Sequence, residues 1–302
     1  MKTLTLQLEG ALKPHHVPFL YADHHDRFQK KGITLEWQTP TSFSGDLTSL
    51  VDGDCDLAVT RPLALVNNFL TGDDIVGIAR FFHSDSGVLF RTDSSVDDPS
   101  DLSGVHTVLC NGMSPDRARL LLDVMTESEC EVEELNVIEA DRDPVKMLYD
   151  DACDALISAG VNPEGVQMEQ ADFEVDFWFF DDYDIPANGD FALATSQQCA
   201  NDSPNELKDF VHVLHQSVKE IEEDPDAGRE VIEDNYEEML EQPGINTLLF
   251  TSLSELTSNF SQDFQTYTAW GDFLTEHTDS GGFVDVDRLI DERFIPLDSV
   301  TF

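Results

Sequence analysis

Strand-like and helix-like segments take turns along this chain up to about residue 196, and that alternation constrains its fold more than any single motif does. Thr3 to Leu8 alternates apolar and polar residues, as a half-buried strand must. Pro14 and Pro18 frame a helix start, apolar residues then recur at helical spacing from Phe19 to Gln29, and Gly32 closes the helix. Ile33 to Trp37 reads as a second strand, and "TSFSGDLTSLVDGD" as a capped helix with a glycine stop. A strand in "DCDLAVT", a helix from Pro62 to Leu70, and strands in "DIVGIARFF" and "GVLFRT" complete a first round. After the polar connection Asp93 to Gly104 the pattern starts again. "VHTVLCNG", "VEELNVI", "CDALISAG", "VDFWFFDDYDIP" and "DFALAT" read as strands, with helices in "SPDRARLLLDVM" and "DRDPVKMLYDD". From about Ser203 the chain turns helical, beginning with "SPNELKDFVHVLHQSVKEIEEDP", which has an N-cap serine and a proline stop. This alternation predicts an α/β fold of two lobes with mixed, mostly parallel sheets and a helical C-terminal portion. One lobe is expected over 1–91 plus 190–302 and the other over 92–189.

Charge narrows the class of partner. Sixty-one Asp plus Glu face 17 Lys plus Arg, a net charge of -44, which repels nucleic-acid phosphates and anionic membranes. The apolar periodicity and 20 Phe belong to a globular chain rather than a disordered acidic one. Such a surface reads as halophilic, adapted to concentrated salt, where the Debye length falls to about 3 Å and self-repulsion is screened. The five cysteines, Cys55, Cys110, Cys130, Cys153 and Cys199, are scattered and without a CxxC, as isolated thiols of a reducing compartment would be. The opening MKTLTLQLEG shows neither a signal-peptide pattern nor a lipobox, so as written the chain is expected in the cytoplasm, or outside the cell if it is truncated at the front. No apolar run approaches the length of a membrane span.

Four blocks, "PHHVPFLYA…RFQKKGITLEW", "LVDGDCDLAVT", "VDDPSDLSGVHTVLCNG" and "ATSQQCANDSPNELKDFVHVLHQSVKEIEEDP", occur in an order that carries a family resemblance. Together they resemble the solute-binding proteins of the type II periplasmic-binding fold. The branch is the one shared by aminopyrimidine, sulfonate and nitrate-type binding proteins of ABC transporters and the pyrimidine-precursor synthase of thiamine biosynthesis. The resemblance implies two lobes that close on a small ligand, with contacts from strand ends and helix N-termini. It implies an ABC-transporter permease as partner, and a thiamine-pyrimidine precursor as the favoured ligand.

The candidate ligand-binding residues follow from the residues and that resemblance. His16, with His15 before it, falls where relatives place a histidine or aromatic at the start of the first helix. His24 and His25 lie about eight residues on, roughly 12 Å away along a helix, so the four histidines do not make one metal site, and no metal is assigned. Thr60 and Arg61 follow a strand, and Arg61 offers a planar fork for an anionic group, with a surface ion pair as the plainer alternative. Asn111, Gly112, Met113 and Ser114 form the next strand-to-helix turn, with Ser114 and Pro115 as N-cap and first helical residue. Ser158, in the turn of "ISAGVNPEG", is a further contact. Asp181 or Asp182 would accept from an amine.

Departures from the synthase branch argue against its reaction. Where that branch carries a lysine for pyridoxal phosphate this chain has Thr60, no histidine follows it, and the cysteine-rich iron motif is missing. The first strand ends "LEG", so Gly10 stands where relatives place a stacking aromatic. With no nucleophile–base pair in evidence, the sequence points to a non-catalytic binder of a small polar or anionic solute, without a cofactor. The alternative is a cytoplasmic enzyme on the same scaffold, in thiamine or pyrimidine-precursor biosynthesis.

Overall fold

The structure is a computed structural model, and it describes residues 1–10, 12–39, 47–93, 96–102, 106–127, 132–140, 144–235, 245–279 and 282–297. All ten expected strands form: β1 (Lys2–Gln7), β2 (Ile33–Gln38), β3 (Leu57–Thr60), β4 (Ile75–Phe82), β5 (Ser86–Arg91), β6 (Thr107–Cys110), β7 (Asn136–Glu139), β8 (Ala155–Gly160), β9 (Val175–Phe179) and β10 (Phe191–Ser196). They make two five-stranded sheets, of order β2-β1-β3-β10-β4 and β7-β6-β8-β5-β9.

In the first sheet β1 runs parallel to β2 and β3, because helical crossovers return the chain to the same end. β10 enters between β3 and β4, antiparallel to both. The 20-residue helix Pro204–Glu223 turns Leu207, Phe210, Val211, Leu214, Val218 and Ile221 inward, the i, i+3/i+4 stripe its sequence shows. That stripe joins Leu4, Leu6, Phe19, Phe28, Phe81 and Leu193 in one core. The segment after β1 differs from expectation. The expected helix over Phe19–Gln29 is two pieces, Val17–His24 and Arg27–Lys30, broken at Asp26, whose φ of 54° is left-handed. Asp is among the few residues that tolerate this conformation, and the break turns Phe28 onto the Phe210 ring at 4.8 Å. Of the expected helix in "TSFSGDLTSLVDGD", Thr48–Val51 forms and residues 41–46 lie outside the described part.

In the second sheet β6 pairs parallel with β7 and β8, while β5 lies antiparallel between β8 and β9. The chain divides into two compact units. The first holds residues within 1–40, 47–83 and 190–302, and the second holds 84–189. The crossing expected at 91 therefore falls at 83, because β5 takes both its partners, β8 and β9, from the second unit. The core of the second unit gathers Leu89, Leu109, Val145, Leu148, Leu156 and Met168. Among the described residues no helix is long and apolar enough to cross a membrane.

The four described cysteines are free thiols, and Cys130 lies outside the described residues. Burial pushes Cys55, Cys110 and Cys153 up to about 12, so none of these three is a ready nucleophile.

The second unit begins and ends with two segments pressed together at the backbone. A Cβ on Gly189 would lie 1.3 Å from the carbonyl oxygen of Ser84. Gly189→Ala is therefore expected to cost about 3 kcal/mol or more of stability, read as a fall in the urea midpoint. An unchanged midpoint would show that this contact does not hold the segments.

Candidate functional site

Each unit presents a polar corner at strand ends. In the first unit the corner begins with Glu9, just past the end of β1, and the short turn Pro14–His16 that opens the first helix. His15 and His16 are wholly buried. Their Nε2 atoms meet the two oxygens of one carboxylate: His15 contacts Glu9 Oε1 at 2.7 Å and His16 contacts Glu9 Oε2 at 2.8 Å. The Lys13 backbone N–H donates to His16 Nδ1 at 3.0 Å, so the His16 proton sits on Nε2 and points at Glu9. Glu9 itself is 18 % exposed and keeps lone pairs beyond those two bonds. Burial alone would raise its carboxyl, but the two imidazoles outweigh burial and hold it well below the usual carboxylate range. Burial, with His16 beside it, pushes His15 down to about 4 against the pull of Glu9. A neutral His15 that donates through Nε2 has a bare lone pair on Nδ1, and that buried atom has no hydrogen-bond partner.

Phe191, the first residue of β10, joins this turn to the end of β3. The His15 ring stacks on it at 4.5 Å and 18°, and the Arg61 guanidinium lies over it at 4.5 Å. Thr60 is buried and opposite Ala192 in the sheet, which places Arg61 beside Phe191. Arg61 is only 9 % exposed. It is thus an inward-facing base held by a ring, a contact worth roughly 0.5–2 kcal/mol, rather than a surface cation. The four residues singled out in this half of the sequence, His15, His16, Thr60 and Arg61, share one corner. His24 and His25 are exposed and apart from it. Sequence reasoning missed Glu9 and Phe191. Glu9 was visible in the "LEG" that ends the first strand, but only the turn back of Pro14–His16 makes it the partner of both imidazoles.

The second unit's corner lies at the ends of β6 and β8. Val88 pairs with Ile157 and Gly87 with Ala159, leaving Ser158 as the extra residue of a bulge, with φ of 63°. A serine held there is strained backbone. Asn111 holds the bulge on one side: its N–H donates to the Ile157 carbonyl at 3.1 Å and its Nδ2 to the Ser158 carbonyl at 3.3 Å. Glu164, 1 % exposed, holds the other, Oε2 accepting from the Gly160 N–H at 3.0 Å and Oε1 from Asn111 Nδ2 at 3.3 Å. Ser158 is completely buried and its Oγ has no hydrogen-bond partner. Gly112 takes the left-handed φ of 67° that the turn requires, Met113 is buried, and Ser114 is the exposed N-cap of Pro115–Met125, its Oγ accepting from the Arg117 N–H. Trp178 and Phe180 are buried, whereas Asp181 and Asp182 are exposed. Glu164 and Ser86 went unseen in the sequence, since nothing in "VNPEG" distinguishes a buried acid from a surface one.

Glu9, His15 and His16 are also the one group of three potential metal ligands among the described residues, their donor atoms within 4.8 Å of one another. The hydrogen bonding opposes a metal there. An ion on His16 Nε2 would need the ring proton on Nδ1, where the Lys13 N–H already points, and the Nδ1 of a metal-bound His15 would have no acceptor.

The fold and these corners define a two-lobed α/β protein of the periplasmic-binding type. The NMT1/THI5-like family model matches residues 13–228, and the chain belongs to that family. No curated protein sequence matches the chain. Among solved structures, a protein from Bordetella bronchiseptica RB50 superposes with TM-score 0.77 at 14% identity, covering 98% of this chain and 96% of its own. The alkanesulfonate-binding protein SsuA from Xanthomonas axonopodis pv. citri, bound to MOPS, gives 0.70 at 13%, covering 97% and 99%. A ligand-binding component of an ABC-type import system from Staphylococcus aureus, with zinc bound, gives 0.69 at 12%, covering 98% of each chain.

The displaced titration of His15 sets a pH signature. Its folded value of about 4 lies below the ordinary 6.5, so between those limits the unfolded chain takes up a proton that the native one refuses. Stability is expected to fall by about 3 kcal/mol as pH drops from 6.5 to 4 through this residue. Glu9, held low, adds a further loss only below the ordinary carboxylate range. His15→Gln, which can still donate to Glu9, is expected to flatten that part of the urea-midpoint profile. A variant profile parallel to the native one would contradict the assignment.

Proposed function

We propose that this chain is a solute-binding protein of the ABC-import type, whose contacts with its solute lie at strand ends. One observation carries the reading. In both units a buried polar atom at a strand end lacks a partner, His15 Nδ1 in the first and Ser158 Oγ in the second. Unmatched buried polar groups are costly unless something else completes them. A bound solute does so, and membership of the NMT1/THI5-like family and the likeness to import-system components support the same view.

The contacts proposed are His15, His16, Thr60 and Arg61 from the first unit, and Asn111, Gly112, Met113 and Ser158 from the second. Ser114 enters through the N–H groups of the helix it caps. The ligand favoured by the family resemblance is a thiamine-pyrimidine precursor, and the partner an ABC-transporter permease if the protein is exported. In the cytoplasm the same corners would serve a carrier or sensor.

The test is thermal denaturation in molar KCl against aminopyrimidines, thiamine, alkylsulfonates, nitrate and simple carboxylates. A ligand at a hundredfold over its Kd adds about 2.7 kcal/mol. Arg61→Ala is expected to weaken a hit about tenfold or more, while Lys146→Ala, on the surface of the second unit, leaves it unchanged. A hit indifferent to Arg61→Ala would remove the site from this corner. Chemical conversion of the hit would replace binding by catalysis.

A further inference from the structure

Bases are scarce in this chain and unevenly spread. Residues 24–31 and 208–219 hold five of its 17 Lys plus Arg and four of its nine histidines, against two of its 61 acids, Asp26 and Asp209. Both stretches belong to the first unit, and side-chain contacts tie one to the other: Phe28 stacks on Phe210, and Lys31 pairs with Asp209. Lys208, His212, His215 and Lys219 recur at i, i+4, i+7 and i+11, so they follow one face of the helix Pro204–Glu223.

A cavity of about 350 Å³ opens beside that face, a volume suited to a small ligand. Its wall brings Lys31 together with His212, His215, Gln216 and Lys219. We infer that this cavity is a second binding site, for a small oxyanion that carries two or more negative charges, such as a di- or tricarboxylate or a phosphate monoester. The inference goes beyond the solute-binding reading, and the cavity shares no residue with the strand-end corner that holds His15 and Arg61.

Two ammonium groups set the charge of the ligand. Lys31 Nζ donates to Asp209 Oδ1 at 2.7 Å, but the pair is exposed, contributes little in water, and leaves the ammonium further protons to donate. Lys219 lies on the opposite stretch, on the helix itself. His215 is buried, and its Nε2 donates to the Ser258 carbonyl at 3.1 Å, which fixes that ring in the wall. His212 and Gln216, one turn apart, add neutral polar groups. Two acids also line the cavity, and neither cancels the lysines. Glu220 gives both oxygens to the Arg27 guanidinium and accepts from the Tyr21 O–H as well, a closed ion pair. Glu223 is exposed to water and salt. The chain as a whole repels an anion, but at physiological ionic strength the Debye length is about 8 Å, so a ligand in the cavity responds to its neighbours more than to distant acids.

The test titrates citrate and inorganic phosphate, with acetate as the monovalent control, into the full chain in KCl by calorimetry, while imidazole proton–nitrogen spectra locate the site. Citrate is expected to bind at least about tenfold more tightly than acetate, and to shift the His212 and His215 resonances while those of His15 and His16 stay in place. Lys31→Gln and Lys219→Gln are each expected to weaken citrate about tenfold. Lys208→Gln removes the same charge from the same helix face outside the cavity, and is expected to change the affinity less than about twofold. Lys31 and Lys208 are exposed and Lys219 is half-buried, so the melting temperature of the free protein is expected to hold in all three variants. Equal losses in Lys208→Gln and Lys219→Gln would show diffuse attraction to the helix face and overturn the inference. A poly-glutamate peptide that binds more tightly than citrate would make the face a docking surface for an acidic protein, and would overturn it too. Shifts at His15 and His16, with the affinity lost in Arg61→Ala, would move citrate to the strand-end corner. Binding of neither citrate nor phosphate would remove the cavity site and leave the solute-binding reading standing.

Discussion

One carboxylate caught between two buried imidazoles organises the first unit. Glu9 lies just past the first strand, His15 and His16 open the first helix, and the hydrogen bonds between them fix how the chain turns from one to the other. The turn sets His15 on the ring of Phe191, and Phe191 carries the guanidinium of Arg61. Residues from four stretches of sequence are thereby brought to one corner. The arrangement tolerates a buried charge because each oxygen of Glu9 takes an N–H donor, the condition under which burying a carboxylate is affordable.

The second unit solves the equivalent problem with backbone rather than rings. An extra residue in β8 forces Ser158 into the left-handed region, and Asn111 and Glu164 clamp the bulge from both sides. Such strain persists only where its surroundings over-determine it. It leaves a buried serine hydroxyl without a hydrogen-bond partner. Both corners therefore hold a buried polar atom that the folded chain leaves without a hydrogen-bond partner.

Most of the fold was legible as periodicity. All ten strands could be read from short apolar runs between turn residues, and the helical C-terminal portion from its 3.6-residue stripes. What escaped was long-range or conformational. The chain crosses between units at 83 rather than 91, because the runs in β4 and β5 look alike and only pairing assigns β5 to β8 and β9. The first helix breaks at Asp26 through a backbone choice that apolar spacing does not record. In the candidate site, His15, His16, Thr60 and Arg61 were visible as rare residue types at strand-to-helix turns. Their partners Glu9 and Phe191 were not, since a pairing across the fold leaves no local signal. In a chain of 61 acidic residues, nothing marks those that turn inward, Glu9 and Glu164 among them.

The central claim is the protonation pattern around Glu9. Long-range proton–nitrogen correlation spectra of the imidazole rings at neutral pH read it directly. The account predicts that His15 and His16 both carry their proton on Nε2, with the Nδ1 resonance of each that of an unprotonated nitrogen. A proton on Nδ1 of His16 would contradict it, because the Lys13 N–H would then have no acceptor and Glu9 would lose a donor.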